Sequence, residues 1–497
     1  MLSGVTRRLA VQLTKAFQLR AAASTQAQPA QQAQQQHFRQ AQQTQQQQNK
    51  NQIPNPPPSS FVNDATVMTP NSGVLPTIRK VREWLLEHSV VVYGSNNMDF
   101  DATRKHDRTV GTQQALIPLH SREAEAWRIY SHNKHICRFG VVLEELDILA
   151  TYIGYKHNQD PNVSMLLSGH HTIGIVTARV DRIDVNPGAE FRVNEDMLMT
   201  GYVSWQGRSS MEVTMHVEQG DVAGGAPLRH LLTAKFIMVT ISGNGKSGAP
   251  NVPLVLRDEA ERAEFDAGER AKDMRAIRDK MSVLKLAPTA EEDALLRELT
   301  MPTLDEASLS PRRGPLSAGR AWMHEATIST TLMCYPEQTN CHGFVFGGFL
   351  LREAHDIAWT NVAKFSNRQP ICQGVTDVLF RAPVTLNSLL HFNSQVCYTD
   401  GRFAEVCVDA IVENLEKNKL QVTDNDSDYD IDNSIIKSIM IFFQTCNTFN
   451  FTFDTQGELP TMIPRTYSGM NSQIERNWNF RIEEDLILEI EKEWILH

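Results

Sequence analysis

The sequence predicts an α+β protein in which one unit, a long helix followed by several antiparallel strands, occurs twice. Three observations carry this. Residues 204–215 (SWQGRSSMEVTM) resemble residues 396–407 (VCYTDGRFAEVC), and both read as alternating strand, polar turn with glycine, and alternating strand. Residues 233–239 echo residues 448–453 as a following strand. Upstream of each hairpin lies a segment that is apolar nearly all round and opened by glycine, at 138–150 and at 345–359. That is the pattern of a helix enclosed by a sheet.

The length of 497 residues suggests two or three domains, and 41% hydrophobic against 21% charged residues gives a chain able to bury a core. A net charge of −10 argues against a nucleic-acid partner held by a broad basic face. Seven cysteines show no CxxC pair and no metal-like spacing, so neither a zinc site nor any other metal is expected. Six of them follow residue 330, which fits reduced intracellular thiols better than a secreted disulfide framework. No apolar run approaches the roughly 18 residues of a membrane span.

The remaining segments follow in order. The first 63 residues hold six basic and no acidic residues, and Leu2, Val5, Leu9, Leu13 and Phe17 form an apolar helical stripe. Residues 1–25 therefore read as a mitochondrial transit peptide. Residues 26–72 read as a disordered linker, glutamine-rich (15 of the 27 residues from 26 to 52) and then proline-rich. The first unit is expected over 105–246, a charged helical linker over 257–315, and the second unit over 321–460. Matching Glu212 to Glu405 leaves the second unit 22 residues longer, which places an insertion in a hairpin loop at about 420–443. Alternating aspartates from Asp424 to Asp432 resemble the start of a calcium loop. The required glycine and glutamate positions hold Tyr429 and Ile435, so calcium is rejected.

The most informative string is residues 340–348 (NCHGFVFGG). Two glycines ahead of a buried helix let the backbone approach a ligand closely. The free N–H groups of the first turn can then meet an anion or a developing oxyanion. The string resembles the active-site turn of hotdog-fold acyl-coenzyme A thioesterases, in which Asn, Gly, an aromatic residue or His, and Gly-Gly precede an Asp on the central helix. Asn340, Gly343, Phe346, Gly347 and Gly348 match it, but the aspartate position holds His355, and Asp356 comes one place late and should point elsewhere on the helix. In the first unit Gly140 matches the second glycine and Asp147 the carboxylate, whereas His132 stands where the asparagine belongs. The halves are complementary: Asn340 and Asp147 would complete one site across the unit interface, and His132 and His355 would occupy a degenerate one.

The likeness is to the mitochondrial acyl-coenzyme A thioesterase 9 type, over roughly residues 75–460. It implies tandem hotdog folds, each an antiparallel sheet wrapped around one long central helix. It implies hydrolysis of fatty acyl-CoA to fatty acid and CoA without a cofactor, in the mitochondrial matrix, by homo-oligomers of double hotdog units. Asp147 would serve as base or nucleophile, Asn340 would orient the water or the carbonyl, and the Gly348 N–H would hold the oxyanion. Gly343, Phe346 and Gly347 would shape the substrate site, and Glu144 and Glu145 would be support or surface residues. The main rival is a non-catalytic acyl-CoA-binding protein on the same fold. A dehydratase using His342 or His355 is a further one, and a nucleophilic Cys341 another. No GxSxG elbow supports a serine hydrolase. The segment around Gly245 lacks the spacing of a phosphate loop.

Overall fold

The computed structural model describes residues 75–91, 106–107, 112–120, 124–132, 136–158, 173–222, 227–242, 247–281, 316–340, 343–414 and 443–464, with single positions between 294 and 304. The expected transit peptide, the glutamine-rich linker, residues 420–442 of the insertion, and residues 341 and 342 lie outside the described residues.

Helix α1 (Ile78–Val91) leads into β1 (His106–Asp107), β2 (Gln113–Ile117), α2 (Ala124–Tyr130) and the 20-residue α3 (Phe139–Asn158). Strands β3 (Ile173–Val185), β4 (Asp196–Gln206), β5 (Ser210–Gly220), β6 (Arg229–Ser242) and β7 (Leu254–Val255) complete the first half. After α4 (Glu259–Met281), the second half repeats the plan. It runs through β8 (Arg320–Trp322), β9 (Thr327–Met333), α5 (Gly347–Ser366), β10 (Ile371–Phe380), β11 (Ser388–Asp400), β12 (Phe403–Asn414), β13 (Phe443–Asp454) and β14 (Thr461–Ile463).

Ten strands form one sheet in the order β2-β4-β5-β6-β3-β10-β13-β12-β11-β9. The order is its own mirror image under the repeat, with β3 and β10 meeting at the centre as antiparallel partners (Val375 opposite Ile183, Val378 opposite Val180). Each half is thus an antiparallel sheet packed on one long helix, the tandem hotdog arrangement, and the two sheets are joined edge to edge. An Arg179–Asp377 ion pair of 2.5 Å crosses the seam.

The repeat extends to individual irregularities. Glu212 lies opposite Trp205 as Glu405 lies opposite Tyr398. The register slips between Val203 and Trp205, and again between Val396 and Tyr398. It slips once more between Val217 and Glu218, and between Ala410 and Ile411. Bulges set local twist and re-aim side chains, so their recurrence shows that the two sheets curve alike. The Glu212–Glu405 match is the structural one, and it displaces the opening of the string comparison by one residue, so that Ser204 corresponds to Cys397.

The inner face of the second sheet is lined by Phe392, Phe449, Phe451 and Phe453, all fully buried. In α3 nearly every residue is buried, including Glu144, Glu145 and Asp147. Helix α4 lies on the outer face of the first sheet. Trp205 Nε1 donates to Glu269 at 2.7 Å there, and Tyr202 OH donates to Glu264 at 3.1 Å. Among the described residues, no helix is long and apolar enough to cross a membrane.

Candidate active site

The site forms where the two central helices meet. A Cβ on Gly348 would stand 2.9 Å from the Glu144 carbonyl oxygen and 3.0 Å from Asp147 Cβ. On Gly140 it would stand 3.2 Å from Arg352 Cγ and His355 Nδ1. Glu144 and Asp147 lie four and seven residues after Gly140, and Arg352 and His355 lie four and seven after Gly348. Each glycine lets one helix N-terminus press against the other helix; a side chain at Gly348 would meet the backbone of α3, and one at Gly140 would displace the side chains of Asp356, Arg352 and His355. The equivalents Glu144 and Arg352 face each other at the crossing and form an ion pair of 2.5 Å.

Asp147 is 1% exposed. Its Oδ1 accepts a hydrogen bond of 2.5 Å from Thr177 Oγ1 on β3, and its Oδ2 has no hydrogen-bond partner. A Cβ on Gly347 would lie 3.2 Å from that Oδ2, so the free oxygen faces the glycine turn of the other half. Burial pushes the Asp147 carboxyl up to about 6. The Thr177 hydroxyl and the Gly348 N–H pull it back in part, and the charge of Glu144 adds to the rise. The Gly348 N–H thus favours the carboxylate electrostatically without completing an aligned bond to Oδ2. The N-terminal residue Phe346 gives α5 no side-chain cap. The partial positive charge of the helix start is left for the carboxylate and for whatever lies beside it.

A short hairpin places Asn340. Phe346 N donates to Gln338 O at 2.8 Å, Asn340 N to Phe344 O at 2.7 Å, and Val345 N to Val384 O at 2.9 Å. The Asn340 Oδ1 accepts from Phe344 N at 3.2 Å, and Gly343 takes a φ of 76° to close the turn. Asp147, Gly347 and Gly348 therefore come together, with Phe346 against Gly348. Asn340 sits on the turn that leads into them, and the hydrogen bond of Asp147 goes to Thr177 rather than to Asn340.

One open sequence expectation is decided and one is corrected. Of support and surface, Glu144 and Glu145 take the first: both are buried, Arg82 from α1 reaches Glu144 at 3.1 Å and Glu145 at 3.3 Å, and Tyr130 OH donates to Glu145 at 2.8 Å. Asp356 does not turn away, since its Oδ1 lies 2.6 Å from the Cβ position of Gly140 and its Oδ2 is 3.4 Å from Arg138. The residues missed altogether are Thr177 and Arg352. Thr177 lies 30 residues beyond Asp147 on an ordinary alternating strand, and only β3's position under α3 brings it into reach. Arg352 could have been found by applying the four-residue offset of Glu144 to the second glycine.

No protein-family model matches the chain. It is 33% identical to the mitochondrial acyl-coenzyme A thioesterase 9 of Bos taurus over 71% of this chain and 74% of that protein. The thioesterase 9 of Homo sapiens is 32% identical over 71% and 73%, and a chloroplastic acyl-coenzyme A thioesterase 2 of Humulus lupulus is 30% identical over 53% and 58%. A solved acyl-CoA hydrolase of Bacillus cereus, 21% identical, covers 35% of this chain and 94% of its own at a TM-score of 0.27.

Proposed function

Because the chain belongs to the mitochondrial acyl-coenzyme A thioesterase 9 family, we propose that it hydrolyses fatty acyl-CoA at one composite site, with Asp147 from the first half and Asn340 and Gly348 from the second. The observation that carries this is the buried Asp147 carboxylate, whose unpartnered Oδ2 faces the uncapped, glycine-lined start of α5.

In this reading a water held between Asp147 Oδ2 and the Asn340 carboxamide attacks the thioester carbonyl carbon. Its proton passes to Asp147, and the carbonyl oxygen becomes an oxyanion beside the Gly348 N–H and the positive end of α5. The C–S bond then breaks. Fatty acid remains, and the CoA thiolate takes the proton back from Asp147. A carboxyl held near 6 suits both steps, since it is ionised at neutral pH yet basic enough to hold the proton in passing. Thr177 fixes the carboxylate's other oxygen and so aims Oδ2. Gly343, Gly347 and Phe346 shape the pocket wall along the turn.

The mitochondrial names of the relatives support a mitochondrial location, and we place the enzyme in the matrix, as a homo-oligomer of double hotdog units. The test is release of free thiol from acyl-CoA by the purified protein. Thiol release in the wild type that falls at least about a hundredfold in Asp147→Ala and Asn340→Ala supports the reading. Tight binding of acyl-CoA with no thiol release would leave a binding protein instead.

A further inference from the structure

The pseudo-symmetric counterpart of the Asp147 site is open. A cavity of about 820 Å³ lies between the halves, with His132, Arg138 and Phe139 on one side and His355, Asp356 and Trp359 on the other. We propose that this cavity is a second site for coenzyme A thioesters, which it holds without hydrolysing; the proposal rests on the reading of the first site given above.

The position identifies the ligand class. Gly140 opens α3 against His355 as Gly348 opens α5 against Asp147. The cavity therefore lies where the pseudo-symmetry repeats the first site, with His355 in the place of Asp147 and His132 in the place of Asn340. Its volume lies within the range of small-molecule sites, roughly 300–1,000 Å³, and suffices for a pantetheine arm with an acyl group. Its walls combine apolar side chains with convergent polar groups, as such an arm requires.

His355 supplies an independent sign of a ligand. The ring is 4% exposed and lines the cavity. Its Nδ1 lies 3.2 Å from Asp356 Oδ1, and its Nε2 is buried with no partner. Asp356 in turn is held by Arg138. A buried ring nitrogen left unsatisfied is costly, and a fold gains nothing from one unless something else completes it. With Nδ1 beside the Asp356 carboxylate, Nε2 is the ring atom left to be completed, and the amide groups of a pantetheine arm offer both a donor and an acceptor for it.

The same comparison removes the hydrolytic step. The imidazole of His355 stands where the first site has the Asp147 carboxylate. Where the first site has Asn340, the second has His132, whose ring meets Trp359 edge-on at 5.0 Å. The cavity does carry the Asp356 carboxylate, but its two oxygens are taken up by His355 and Arg138, which leaves it no free oxygen to activate a water as Asp147 Oδ2 would.

The experiment is titration calorimetry with a hexyl thioether of coenzyme A, which cannot be hydrolysed. The wild type is expected to bind two per chain, as is Asp147→Asn. Thr360→Trp, which narrows the cavity from outside the first site, should bind one and retain full thiol release. His355→Gln should weaken one of the two sites by about tenfold. One thioether per chain in the wild type, unaffected by Thr360→Trp, would overturn the second site and leave the first standing. Absence of both binding and thiol release would instead overturn the function itself. Hydrolysis that survives in Asp147→Asn and disappears when His355→Gln is added would also refute the proposal, because the second site would then be a catalyst.

Discussion

Replacing Asp147 by asparagine should make the protein more stable and inactive, and the gain in stability should depend on pH. The folded carboxyl sits at about 6 against an ordinary 3.8. A rise of that size corresponds to about 3 kcal/mol by which the fold disfavours the ionised form. Because the folded value lies above the unfolded one, the folded state holds the proton more tightly. The penalty is therefore absent below about pH 4, grows between about 4 and 6, and is complete above 6. Asparagine keeps the shape and can still accept from Thr177, but it carries no charge. Thermal melts of wild type and Asp147→Asn should coincide near pH 4 and separate by several degrees at pH 8, the variant being higher. Thiol release should fall by a factor of at least about 10². A variant less stable at every pH would mean that Asp147 is a structural carboxylate whose charge the fold needs, and the catalytic assignment would lose its physical basis.

Three further outcomes follow from the same geometry. Thr177→Val removes the hydroxyl that favours the ionised Asp147; the rising limb of kcat/KM against pH, expected near 6 in the wild type, should move to higher pH, with kcat lower by about tenfold. Gly348→Ala places a methyl 2.9 Å from a backbone oxygen that has no room to yield, so the helices must separate; activity should fall by about a hundredfold and the melting temperature should drop, measured side by side. Arg352→Met leaves Glu144 with Arg82 alone, in a crossing where Arg352 is a quarter exposed; a loss of about 1–3 kcal/mol in chemical unfolding is expected, smaller than for a fully buried pair.

The fold was legible in the sequence because the unit is repeated. Two hairpins with alternating residues and two glycine-opened apolar helices carry their periodicities openly, and duplication gives each an internal control. The complementarity read from the sequence was that of Asp147 with Asn340, each kept by one half and lost by the other; the glycine is kept by both halves, and the structure sets Asp147 against Gly347 and Gly348. What escaped was everything fixed by the crossing of the helices rather than by distance along the chain. The charge of Glu144 and Glu145 left support and surface both open, and only the arrival of Arg82, Arg352 and Tyr130 decides for burial. Asp356, one residue past the expected carboxylate position, was assigned to another face by its 100° step, yet the close approach of Gly140 brings the other helix up to it. Thr177 belongs to a strand whose alternation says which face it occupies but not which side chain lies above it.

The composite site is tested most directly by the crystal structure of the full chain with the hexyl thioether of coenzyme A bound. The account predicts the thioether sulfur beside the start of α5, with the first carbon of the hexyl chain, where the reacting carbonyl would be, one water's width from Asp147 Oδ2 and next to the Gly348 N–H. A ligand seated only in the His355 cavity, with the Asp147 carboxylate still enclosed by protein, would contradict it.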